Sequence, residues 1–200
     1  SIEDFFKKYK NTQLITGQKA KIAYYFKSQE HLEESRPLIE AALAKVRQSP
    51  SLILMNTQRS LKQEIDEFNR LNDANTAKRI ILLVGKGTEG WNCPSLFATA
   101  LIRELTSSNN FILQASTRCL RQVDGNEQPA TIYIESHNQN ILNDELKKTF
   151  NTSLHELNNA EPELKEINAV FRKTNYPELE ITRVIKRVVA SNSPAVDGIK

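Results

Sequence analysis

The stretch Arg79-Ile-Ile-Leu-Leu-Val-Gly-Lys-Gly-Thr-Glu-Gly-Trp-Asn-Cys-Pro94 decides how this chain folds. After Arg79 it runs through five apolar residues without a polar break. That pattern predicts a strand, Arg79–Val84, buried on both faces as in a parallel sheet. A glycine-rich segment, Gly85–Pro94, follows directly. Gly85, Gly87 and Gly90 are three of only 6 glycines in the chain. Glycine collects where the backbone needs positive φ or lies against a ligand. Open α/β sheets bind ligands beyond the carboxyl ends of their strands, where this loop begins. A tight surface turn is the alternative reading. The loop is not a P-loop, since no GxxxxGK[ST] occurs anywhere in the chain. It is not a dinucleotide fingerprint either, since it does not open a helix after the first strand.

The same reading extends in both directions. Lys21–Phe26 (KIAYYF), Ser51–Asn56, Leu96–Ile102 and Thr131–Glu135 have strand composition. Between them lie stretches with helical spacing. Ser28–Gln48 repeats Leu32, Leu38, Ile39, Leu43 and Val46, and Pro37 predicts a kink or a start at Ser35. Gln58–Leu71 places Leu61, Ile65, Phe68 and Leu71 on one face. Asn109–Leu120 and Asn140–Leu157 read as helices. Strands alternating with helices predict an α/β fold, an open doubly wound sheet of five to six mainly parallel strands with helices on both faces. Residues 1–19 read as a lead-in helix and linker, 20–158 as the α/β domain, and 159–200 as a C-terminal extension with a disordered tail. Ile181–Val189 within that extension alternates like a strand.

Composition excludes several classes. The 200 residues are 39% hydrophobic and 26% charged, so neither wholesale disorder nor a membrane protein fits. No run of about 18 apolar residues is present to span a bilayer. The net charge of +3 permits nucleic acid without arguing for it. Cys93 and Cys119 lie far apart with no CxxC, which reads as two reduced thiols of a cytoplasmic protein rather than a zinc site. His31, His137 and His155 have no metal-ligand spacing, so no metal site is expected. The chain opens at Ser1 and its only methionine is Met55, as expected of a piece of something longer.

A second motif is Gln114-Ala-Ser-Thr-Arg118-Cys-Leu-Arg121. On a helix, Gln114, Arg118 and Arg121 share one face. Guanidinium groups are fork-shaped donors suited to phosphate oxygens, so such a stripe beside a cleft can grip an anion. A solvated basic face is the plainer reading.

Taken together, the motifs resemble those of the second RecA-like domain of superfamily 2 helicases and translocases. The likeness is nearest to the ATPase subunit of type III restriction enzymes and their DEAD/DEAH-like relatives. Thr88–Pro94 is similar to motif V, E-G-x-D-x-P, with Asn92 in place of Asp. Gln114–Arg121 is similar to motif VI, Q-x-x-G-R-x-x-R, with Thr117 in place of Gly. KIAYYF resembles motif IV, and Ser51–Leu71 the strand and helix that follow it. The resemblance covers about 21–150.

The resemblance implies a RecA-like domain that completes an ATP site from across an interdomain cleft. Arg118 and Arg121 would be the catalytic cations, with Gln114, Gly90 and Asn92 also at the nucleotide. Lys86, Thr88 and Glu89 would touch nucleic acid. ATP and Mg2+ would be bound mainly by a preceding RecA-like domain, because the Walker A lysine and the acidic box are missing here. This chain alone would then be inactive. The implied partners are double-stranded DNA contacted through its backbone, that preceding domain, and a modification subunit, in a parent that hydrolyses ATP and can also serve as an endonuclease subunit. The alternative is a non-catalytic doubly wound module that binds a nucleotide or a protein. A small-molecule enzyme is disfavoured, since no nucleophile–base pair emerges. Glu163-Leu-Lys165 matches three letters of a nuclease pattern that chance supplies freely. Trp91 reads as a core residue, with stacking on a base as its alternative.

Overall fold

The computed structural model describes residues 1–85, 91–102, 111–121, 123 and 128–159. Five strands, β1 (Lys21–Phe26), β2 (Ile53–Asn56), β3 (Ile80–Val84), β4 (Leu96–Leu101) and β5 (Thr131–Ile134), form one sheet in the order β2-β3-β1-β4-β5. Every pairing is parallel. The α/β doubly wound architecture expected of a RecA-like domain is therefore the one observed. Ile181–Val189 and the rest of 160–200 lie outside the described residues.

The helices are α1 (Ile2–Tyr9), α2 (Gln29–Lys45), α3 (Lys62–Asn69), α4 (Phe111–Ser116), α5 (Ser136–Phe150) and α6 (Leu154–Asn159). From β1 the chain steps past β3 to β2, then reverses. Parallel crossovers are right-handed, so the reversal sends α2 to one face and α3 and α4 to the other. The two cores obey this. On one face Ile22, Tyr24, Phe26, Ile80 and Leu82 pack with α1 and with Leu32, Ile39 and Leu43 of α2. On the other, Ala23, Tyr25, Ile81 and Leu83 pack with Leu71, Leu113, Ala115, Leu142 and Leu146.

Local differences from the sequence reading have physical causes. Helix α2 does not start at Ser35. Ser28 caps it through His31 N–H, and it continues through Pro37. Pro37 is exposed while Leu32, Ile39 and Leu43 are buried on both sides of it, so burial holds the helix across the missing donor. Helix α3 is shorter than expected. Of the four apolar positions of the expected helix, Leu71 is buried and Phe68 packs on the core, but Leu61 and Ile65 face solvent. The helix expected over 140–157 is two, because Asn151 takes a left-handed conformation (φ 50°) that ends α5. The lead-in segment does form a helix, and Ile2, Phe5, Phe6 and Tyr9 of α1 are core residues.

Candidate functional site

The glycine-rich loop leaves β3 at Gly85, whose φ of +61° is left-handed. A Cβ there would meet nothing within 4 Å. Glycine is thus needed at this position for the turn. Lys86, Thr88, Glu89 and Gly90 lie outside the described residues. Where the chain is described again, at Trp91–Ser95, it has reached the opposite edge of the sheet. Lys21 N–H, at the start of β1, donates to Ser95 O (2.8 Å), and β4 begins at Leu96. Gly85 and Ser95 thus stand at opposite edges of the sheet. The expectation of a site at the carboxyl edge is corrected for Asn92, which stands at the amino edge.

Burial anchors the loop at this end. Trp91 lies against the Phe68 ring, with centroids 5.2 Å apart, and packs on the second core, as the core reading expects. Cys93 is buried, and its Sγ stands 3.6 Å from Ser95 Oγ. Lys21 is wholly buried beneath it and donates from Nζ to Ser95 Oγ (2.7 Å) and Lys19 O (3.2 Å). Desolvation holds the Lys21 ammonium below its ordinary pKa and pushes the Cys93 thiol up. Burial likewise pushes Cys119 up to about 11. Both thiols are free, and neither has the thiolate character of a nucleophile.

Gln114, Arg118 and Arg121 do not form one helical stripe. The α-helix ends at Ser116 and tightens into a 3-10 turn, Thr117–Leu120. Side chains compete there for the helix carbonyls. Leu113 O accepts from Thr117 Oγ1 (2.6 Å) and Ser116 Oγ (3.3 Å), while Ser116 O accepts from Thr99 Oγ1 (3.1 Å) and Cys119 Sγ (3.3 Å). Thr117, where the motif VI pattern has glycine, is thereby part of the turn. Gln114 remains on α4 and is exposed. Arg121 follows the turn in extended geometry.

The turn aims both arginines at the loop. Arg118 Nη1 donates to Trp91 O, and Arg121 Nη1 donates to Asn92 Oδ1 at 2.6 Å. Arg118 is half-buried, and desolvation draws its pKa below the ordinary value. Arg121 and Asn92 are exposed. A pocket of about 220 Å³, lined by Pro94, Leu96, Phe97, Cys119, Pro129 and Arg121, adjoins the pair. It is smaller than the ~300–1,000 Å³ of ligand-enclosing sites. No group of His, Cys, Asp and Glu that could hold a metal occurs among the described residues.

Three residues that matter here escaped the sequence reading. Lys21 and Arg79 look like polar strand starts, and Asn72 sits in a plain polar loop. A lone cation directly preceding an unbroken apolar run was the available signal for the first two.

No family model matches the sequence, and no curated protein is similar to it. Among solved structures, the chain is similar to the Mss116p DEAD-box helicase domain 2 bound to an RNA duplex (TM-score 0.47, 15% identity, covering 67% of this chain and 49% of that one). It is also similar to the C-terminal part of the Fun30 ATPase domain (TM-score 0.38, 18% identity, covering 57% of this chain and 34% of that one). A third is the C-terminal domain of the DEAD-box protein Dbp5 (TM-score 0.46, 11% identity, covering 76% of this chain and 79% of that one). The chain thus spans about half the length of the first and about a third of the second.

Proposed function

We propose that this chain is the arginine-donating second domain of an ATP-driven superfamily 2 motor acting on DNA, with a restriction-type translocase as the finer reading. The observation that carries the proposal is the meeting of two motifs 29 residues apart. Arg121 grips Asn92, and Arg118 grips the neighbouring Trp91 carbonyl. The donor set fits one end of a nucleotide. Arg121 is an exposed guanidinium with one nitrogen committed to Asn92, and its remaining N–H groups suit the outer phosphate. The rest of a nucleotide site does not fit, for want of a GxxxxGK[ST] cradle and of a carboxylate cluster for Mg2+ among the described residues. ATP and Mg2+ would therefore be held by a preceding domain, which supplies the phosphoryl chemistry. The role of this chain is to bring cationic donors to the developing charge when the domains close. Lys86, Thr88 and Glu89 are assigned to the nucleic-acid backbone by resemblance. The modification subunit belongs to the restriction-type reading only.

The test uses the full-length polypeptide that carries this chain, assayed for ATPase with DNA present. Arg121→Ala is expected to lower kcat by roughly 10³-fold with ATP binding retained. That loss is about 4 kcal/mol of barrier, beyond what a solvated surface charge supplies. Arg121→Lys should fail nearly as badly, since an ammonium lacks the planar fork. Full activity in both variants, with unchanged melting, would return Arg121 to the surface and leave the chain a binding module.

A further inference from the structure

We propose that Asn72 is a positioning residue for Arg121, itself set in place by the turn Leu14–Gln18; the inference rests on the role given to Arg121 above. Arg121 leaves its 3-10 turn in extended geometry, so no helical neighbour fixes its side chain. Its anchor is Asn92 Oδ1, at 2.6 Å. Asn92 is exposed and is held in turn by Asn72, whose Nδ2 donates to Asn92 O at 2.9 Å. That bond sets the plane of the peptide following Asn92, and so the direction in which its side chain leaves the loop.

Asn72 is tied at its other end. Its carbonyl accepts from Gln18 Nε2 at 2.6 Å, and the preceding Leu71 is buried in the second core. The turn carrying Gln18 packs tightly on the same loop. Gly17 has φ +94°, and a Cβ there would lie 3.0 Å from Ala74 Cβ. A chain of contacts therefore runs Gln18, Asn72, Asn92, Arg121. It joins the segment entering the sheet to the cation at the candidate site. Asn92 suits this role better than aspartate would. A neutral acceptor holds a guanidinium less firmly than a carboxylate does, so the arginine stays movable.

The measurement is the rotation rate of the Arg121 guanidinium by 15N NMR of the 200-residue chain, with the signal assigned through Arg121→Lys. Asn72→Ala is expected to speed rotation about 3- to 10-fold, the range that losing one modest hydrogen bond allows. Gln18→Ala should act in the same direction but less. The Arg79 guanidinium, fixed by three carbonyls, is the internal control and should not change. In the full-length polypeptide Asn72→Ala should lower kcat by a similar factor while leaving KM within about twofold. An unchanged Arg121 signal in both variants overturns the relay. So does a freed Arg121 with unaltered kcat. Full activity of Arg121→Ala overturns the motor reading instead. The two failures are distinguishable because the guanidinium measurement uses no ATP.

Discussion

Among the described residues, Lys21 and Arg79 are the buried cations, and the fold handles them differently. Arg79 donates to Ala20 O (2.9 Å), Lys10 O (3.1 Å) and Tyr9 O (2.7 Å), and stacks over Phe5 and Phe6. Its fork thus caps the carboxyl end of α1, where a cation is favoured. Desolvation lowers its pKa only to about 10, so it stays charged. Lys21 has two recorded acceptors, and its nearest charged or titratable neighbours are Arg79, a second cation, and the Cys93 thiol. Its folded pKa is depressed below 10.5. The unfolded chain therefore holds this proton more tightly than the native state does. Between the folded and the unfolded pKa stability rises with pH, reaching full value only above the unfolded one. Replacing Lys21 with Met removes the penalty. We expect Lys21→Met to be no less stable than wild type at pH 7, with wild type gaining on it as pH approaches 10. Urea midpoints across pH 7–10 measure this, and a constant difference would refute it.

At the scale of elements, α2 shows packing overriding propensity. Pro37 is the ninth of its 17 residues, and an interior proline costs a helix ~3 kcal/mol. Part of that is offset because proline also restricts the unfolded chain. Pro37 is exposed, so replacing it opens no cavity. Pro37→Ala is therefore expected to stabilise the protein by about 1–2 kcal/mol in urea unfolding. Destabilisation would mean that the ring makes a contact that the geometry does not reveal. The turn after α4 shows the converse, with side-chain bonds rather than burial ending a helix.

For the molecule as a whole, α1 acts as a clasp. It packs Ile2, Phe5, Phe6 and Tyr9 into the first core and reaches the far edge of the sheet. Tyr9 Oη donates to Pro129 O (2.6 Å) and stands 2.7 Å from Thr131 Oγ1, while Tyr133 Oη donates to Asp4 Oδ2 (2.7 Å). Asp4 is held below its ordinary pKa by Lys8 and by this hydroxyl. Helix and sheet should therefore unfold as one unit. Phe5→Ala is expected to cost about 3–5 kcal/mol of global stability, the range for a fully buried aromatic. Hydrogen exchange supplies the check, since α1 amides should be as protected as those of β1. Rapid exchange of α1 alone would show it to be an independent appendage.

Element type and order were determined by the sequence alone, because burial on both faces writes an unbroken apolar run such as Ile80–Val84 and a one-sided helix writes a 3.6-residue period. That Asn92, Arg118 and Arg121 would share a site was an expectation of the family resemblance, not of their spacing. Where those residues meet was not legible. The glycine loop starts at the carboxyl edge, but Trp91 and Cys93 bury themselves at the other end and carry Asn92 to the amino edge. Nor could the sequence reveal that the Gln114–Arg121 stripe would break, since Thr99, distant in the chain, takes the carbonyl that the next helical N–H requires. Asn72 was invisible for the same reason. A single exposed amide becomes meaningful only when three segments converge on it, and convergence is a property of the packed sheet.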